Sequence, residues 1–279
     1  MAKIGVNGMS LMKAFNEDIY GTAKRLREGG CEFIEPLSDW CADPKLLEFY
    51  ENLTGIKSNW SPENTTKRIG ILRECGIKVQ GMFVFTDYIE EQAEELGAFC
   101  KQNGIDYVVI SYHGYEGIED VYRKVATVKH VSGVLKKFDV QLVIHNHEHD
   151  LALITDKNGE TKPILDIFME QCTTEELVLE ADTGWLLYAG VEPAEFVQKY
   201  INRIRILHLK DICKEHKEID RADIHVACGQ GAVNFKAVFD VMPQDKKDTM
   251  IYVLDQDASK GDIVEDQIAS IKYFESIGL

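Results

Sequence analysis

The chain has 279 residues, 45% of them hydrophobic and 28% charged, with a formal net charge of −16 and a pI near 4.9. That length is enough to bury a large core, and the acidity repels a phosphate backbone at long range, which argues against nucleic acid as a partner. No run approaches the roughly 20 apolar residues of a membrane span, MAKIGVNGMS lacks a signal-peptide core, and seven scattered cysteines with no CxxC fit reduced thiols in a cytoplasm.

In chain order, short β-branched runs alternate with longer helical patterns. The predicted strands are KIGVNG (3–8), CEFIEPL (31–37), KVQGMFVF (78–85), DYVVISYH (106–113), VQLVIHNH (140–147), ELVLEADT (176–183), IRILHLKD (204–211) and MIYVLDQD (250–257). Met12, Phe15, Ile19, Ala23 and Leu26 keep a helical spacing after the first. SPEN at 61–64 places Ser61 as an N-cap with Pro62 at the first helical position. Gly30, Gly76 and Gly104 stand where a helix should stop before a strand. TDKNGETK (155–162) reads as a turn-rich loop. Val264, Ile268 and Ile271 form an apolar stripe after a Ser259/Asp262 start signal. Eight such units predict an α/β protein, a (β/α)8 TIM barrel forming a single domain over 1–279.

In such a barrel the chemistry lies at the C-terminal strand ends. The polar residues there are Glu35, His113, His145, His147, Glu180, Asp182, His208, Lys210, Asp255 and Asp257, with Trp185 just after the sixth strand. Alternation puts His145 with His147, Glu180 with Asp182, His208 with Lys210, and Asp255 with Asp257 on shared faces. Imidazole and carboxylate from successive strands form a ligand set for Mn, Co, Zn or Fe as a divalent ion, which would polarise a carbonyl or hydroxyl.

HNH, DTGW, HLKD and LDQD, in that order and at those strand ends, together resemble the xylose-isomerase-like barrels, in the sugar phosphate isomerase/epimerase group. The resemblance covers the whole chain, and CGQGAVNF (228–235) is similar to the family's Gly-x-Gly segment between strands 7 and 8. It implies a metal held by Glu, Asp, His and Glu of strands 5 to 8. Here Asp182, His208 and Asp255 match the last three. The first falls near Val143, so His145 or His147 is the replacement. The expected allocation is His147, Asp182, His208 and Asp255 on the metal, and His145 and Lys210 as catalytic groups. Glu35, His113, Trp185 and Asp257 are the substrate contacts. Gly229 and Gly231 read as a turn rather than a phosphate cradle.

The expected function is a divalent-metal-dependent isomerase or epimerase acting on a sugar, keto-sugar or polyol through an enediolate. A dehydratase or lyase shares the first step, and a non-catalytic sugar-binding subunit is the reading without metal. An endonuclease-like phosphodiesterase needs a basic groove that the charge argues against. The expected partner is a small sugar or polyol, with no nucleic acid and no membrane, and association into a homo-oligomer is left open.

Overall fold

The computed structural model describes residues 3–279. Each predicted run contains a strand, shorter than the run itself: β1 Ile4–Asn7, β2 Phe33–Glu35, β3 in two pieces, Lys78–Val79 and Gly81–Phe83, β4 Tyr107–Ile110, β5 Gln141–His145, β6 Val178–Asp182, β7 Ile204–Leu209 and β8 Ile251–Leu254. Nine hydrogen-bonded segments form one sheet whose two ends are the two pieces of β3. The first piece pairs with β2 and the second with β4, and a Leu37–Phe83 bridge bypasses the break at Gln80. Every pairing in this sheet is parallel, so the chain closes as the (β/α)8 barrel that the alternation predicts.

The punctuation residues act as expected. Ser61 caps Pro62–Glu74 through Asn64 N, and Asp262 caps Ile263–Ser276 through Val264 N. Gly104 ends Ile89–Asn103 in the left-handed region, at φ 70°. Two segments differ. The 155–162 stretch is flanked by an antiparallel hairpin, Leu153–Thr155 with Thr161–Pro163, tied by Lys162 to Asp156, Glu160 and Glu170. The helix Met12–Glu28 is interrupted at Asp18, whose carboxylate restarts it by accepting from Gly21 N at 2.9 Å.

Apolar side chains fill the barrel floor: Phe33, Tyr107, Val109, Val143, Val178, Ile206 and Val253. Strand period two then lifts the next inward residue above each. Phe33 leads to Glu35, Val143 to His145, Val178 to Glu180 and Asp182, Ile206 to His208 and Lys210, and Val253 to Asp255 and Asp257. The dry floor thus gives way, within one strand step, to a layer of buried acids and imidazoles.

Candidate metal centre

Each side chain of this layer is placed by register. His145 of β5 lies opposite Glu180 of β6, and Asp182 of β6 opposite His208 of β7. Asp255 follows the last residue of β8, with its N–H donating to Leu209 O at 3.2 Å. His145, Asp182, His208 and Asp255 each present one donor atom, all within 4.8 Å of one another, and all four residues are buried. Asp182 Oδ2 stands 3.9 Å from both His145 Nε2 and His208 Nδ1, and Asp255 Oδ2 is 3.2 Å from His208 Nδ1.

The outward nitrogens of the two rings are held from below. His145 Nδ1 is 2.8 Å from Glu180 Oε1. His208 Nε2 is 2.9 Å from that same oxygen and 3.0 Å from Glu35 Oε1. Asp182 has two duties: Oδ1 caps the short helix Thr183–Tyr188 by accepting from Trp185 N at 2.7 Å, while Oδ2 is buried with no hydrogen-bond partner. A buried carboxylate oxygen without a hydrogen bond, facing two imidazoles and a second carboxylate, fits a divalent transition ion. The chemistry of the donor set therefore suits the ion the sequence implies.

Lys210 closes the cluster. Its Nζ lies 2.9 Å from Asp255, 2.8 Å from Asp257 and 3.6 Å from Asp182, and its stem runs over Gly184, where a Cβ would collide with it. Burial opposes its charge, but the three carboxylates outweigh burial and raise its pKa, so the ammonium stays protonated. Burial pushes Glu180 up to about 8, with Glu35 adding to the effect, and pushes Asp182 up to about 7 against the pull of Lys210. For His208, burial favours the neutral ring, yet Glu180, Asp255 and Glu35 prevail and raise it. Asp255 is buried too, but Lys210 and His208 hold it well below the carboxylate range.

The other expected residues fall at different heights. Strand β5 ends at His145, and a 3-10 turn over Glu148–Leu151 carries the rest of HNHEH away. His147 is therefore not in the four-residue group; its donor clusters with those of His149 and Asp150 instead. Its ring stacks on His149 at 5.4 Å, and its Nδ1 is buried without a partner. Burial, then Lys210, lowers its pKa to about 3, so the imidazole is neutral. Glu35 lies beneath His208, and Asp257 holds Lys210 at the mouth. Trp185 is buried, with Lys210 Nζ and Arg221 Cζ at 4.5 and 4.3 Å from its ring. His113 is exposed on the turn after β4 and, among the described residues, makes no side-chain hydrogen bond or ion pair.

Alternation had paired Glu180 with Asp182, but only the folded chain reveals that Glu180 touches both imidazoles. Asn146 carried no signal, since it points away from the barrel axis; its Oδ1 accepts from Asp182 N at 3.0 Å and braces the β5–β6 contact. Arg221 is brought in by the long loop after β7, where it pairs with Glu148. The Gly-x-Gly loop is filled from within. Asp211 accepts from the N–H groups of Gly229, Gly231 and Val233 at 2.9 to 3.0 Å.

The profile of the xylose isomerase-like TIM barrel matches residues 91–274. The chain belongs to the xylose isomerase-like TIM barrel family. Among curated relatives it is similar to the inosose dehydratase of Clostridium perfringens, 28% identical over 158 residues, which covers 52% of this chain and 50% of that enzyme. The chain thus spans about half the length of that relative. Among solved structures it is similar to a sugar phosphate isomerase/epimerase from Parabacteroides distasonis, with a TM-score of 0.78 at 16% identity, covering 99% of this chain and 94% of that one. It is also similar to the IOLI protein, solved with a bound zinc atom, at a TM-score of 0.68 and 14% identity over 99% of this chain and 97% of that one. The proteins it is similar to include an L-ribulose 3-epimerase and a 3-keto-D-glucoside 4-epimerase among the solved structures and inosose dehydratases among the curated relatives.

Proposed function

We propose that the chain is a divalent-metal-dependent isomerase or epimerase that removes the proton alpha to the carbonyl of a keto-sugar or of a polyol in its keto form. The observation that carries this reading is the convergence of four buried donors, from His145, Asp182, His208 and Asp255, beside a buried ammonium. A Mn, Co, Zn or Fe ion held by those four would polarise a carbonyl and an adjacent hydroxyl and so acidify the neighbouring C–H.

The chain's own groups supply the rest. His145 has one ring nitrogen engaged by Glu180 and the other facing Asp182, so it is assigned to the metal. His147 takes the role of base: its ring lies 4.9 Å from that of His145, and its buried Nδ1 has no partner. Burial keeps it neutral, the form able to accept a proton, and negative charge growing on the substrate would hold the imidazolium that results. Lys210 is a fixed cation for the developing enediolate oxygen, and Asp257 is within reach of a substrate hydroxyl at the mouth. Phe83, with ring centroids 5.3 and 5.7 Å from those of His145 and His208, keeps water from one side of the pair. A small sugar or polyol is the proposed partner. Seven unpaired thiols support a reducing, cytoplasmic setting, and among the described residues no helix is long and apolar enough to cross a membrane.

The inosose dehydratase relatives favour a second outcome of the same first step, in which a hydroxyl β to the carbonyl leaves after the proton is taken. The test is exchange in D2O. Protein loaded with Mn2+, Co2+ or Zn2+ is incubated with a panel of ketohexoses, ketopentoses and inosose. Deuterium alpha to the carbonyl with an epimeric or isomeric product supports the first reading, and an enone absorbance supports the second. No exchange with any member of the panel would remove both and leave a sugar-binding barrel.

A further inference from the structure

Strand β6 lies between β5 and β7 in the sheet, and Glu180 uses that position in a way no ordinary core carboxylate needs. One atom, Glu180 Oε1, is 2.8 Å from His145 Nδ1 and 2.9 Å from His208 Nε2. The residue has no exposed surface, and neither does His208. The nitrogens it touches are the ones turned away from Asp182. The opposite nitrogens, His145 Nε2 and His208 Nδ1, are those that stand at equal distance from Asp182 Oδ2. A neutral imidazole that donates from one nitrogen presents a lone pair at the other, and the group that receives the hydrogen fixes both the tautomer and the ring plane. His145 is the ring so placed, whereas His208 meets carboxylates at both nitrogens.

We infer that Glu180 is the positioning residue of the centre, a single carboxylate oxygen that is the hydrogen-bond partner of His145 Nδ1 and also lies against His208 Nε2, a nitrogen it shares with Glu35. The inference rests on the proposed metal site but concerns residues that do not change with it. Glu35 divides the work with it: Glu35 makes the hydrogen bond to His208 Nε2 and does not reach His145. A Glu at this place on β6 is long enough to sit one layer below the donors while its strand neighbour Asp182, two residues on, joins them. Removing it would leave the buried His145 Nδ1–H without its acceptor and that ring free to turn, while His208 keeps Glu35 and Asp255.

The test uses the metal-free protein first. Long-range 15N–1H correlation of the histidine rings reports which nitrogen of His145 carries the hydrogen. The expected result is Nδ1–H in the wild type, a switch to Nε2–H in Glu180→Ala, and retention of Nδ1–H in Glu180→Gln, whose amide oxygen still accepts. Zn2+ affinity, read by competition with a chromophoric chelator, should fall about 10- to 100-fold in Glu180→Ala and much less in Glu180→Gln. An Nε2–H ring in the wild type overturns the inference without any variant, so a Glu180→Ala protein that does not fold cannot shelter it. An unchanged tautomer in Glu180→Ala overturns it as well. If the wild type takes up no Zn2+ while the tautomer still follows residue 180, the metal reading fails and the control of His145 by Glu180 stands.

Discussion

The two halves of the barrel solve the same packing problem with different side chains. From β1 to β4 the interior is closed by rings set against glycines: a Cβ at Gly5 would fall inside the Phe33 ring, and one at Gly81 inside the Tyr107 ring. From β5 to β8 the floor is made of Val143, Val178, Ile206 and Val253, small enough that the next inward residue of each strand meets its neighbours across the barrel. Those residues are His145, Glu180, His208 and Asp255. Among the described residues, Glu35 is the acid that crosses from the aromatic half into the polar cluster. A low aliphatic floor is thus the precondition for a converging donor set, while rings paired with glycine give a wall. The family profile, which spans residues 91–274, covers the half that carries the donors.

The largest effect should come from breaking the donor half directly. His208→Ala removes the ring that meets Asp255, Asp182, Glu180 and Glu35. Protein purified without an affinity metal should carry about one equivalent of a divalent transition ion in the wild type and none in the variant, by elemental analysis. Equal content in the two would remove the proposed centre.

Next in size is His147→Gln, which should sharpen the division between metal and proton transfer. Metal content should stay at the wild-type level while kcat for alpha-proton exchange drops by about 10²- to 10⁴-fold. Loss of metal together with rate would place His147 among the ligands, as alternation alone suggests.

These two histidines also mark where the sequence stops being legible. Eight strands, their order and the height of the polar layer follow from a period of two and from Gly and Pro punctuation, because those signals are local. Asp182, His208 and Asp255 are legible for the same reason, since each ends a strand. The allocation of His145 and His147 depends on where β5 stops, and strand ends are set by the neighbouring chain rather than by the residues themselves. Alternation carried past His145 predicts a shared face, whereas the chain turns into a 3-10 segment in which Asp150 accepts from His147 N at 2.7 Å. Arg221 and Asn146 were beyond reach for a related reason: a long loop and a cross-strand brace leave no periodic trace. Glu180 was visible as the partner of Asp182, but its contact with two other strands is a tertiary fact.

The aromatic half can be broken as cleanly. Gly81→Ala drives a methyl into the Tyr107 ring, in a floor already packed, and should cost about 1–3 kcal/mol of stability by denaturant unfolding. Zn2+ affinity at low denaturant should change little, because no donor lies on β3. A variant that loses metal affinity in proportion to stability would show that the two halves are not separable.

The smallest effect separates the halves by pH. Glu180 titrates near 8 in the folded chain, against an ordinary glutamate value of 4.5. Between those values the native metal-free protein holds a proton that the unfolded chain has released, so its stability falls as pH rises through that window and levels off above it. The expected observation is a Tm of metal-free protein that declines from about pH 6.5 to pH 8.5; below that window His145 and His147, kept neutral by burial, act in the opposite sense. Glu180→Gln has no such proton to lose, and its decline should be shallower. Asp182, raised to about 7, has the same sign and remains in the variant, which is why the slope is reduced rather than abolished. Saturating Zn2+ should flatten the wild-type curve, because a bound cation offsets the charge that deprotonation places in the cluster. Parallel curves for wild type and Glu180→Gln would mean that the cost of burying charge is spread through the barrel instead of residing in the layer above Val178.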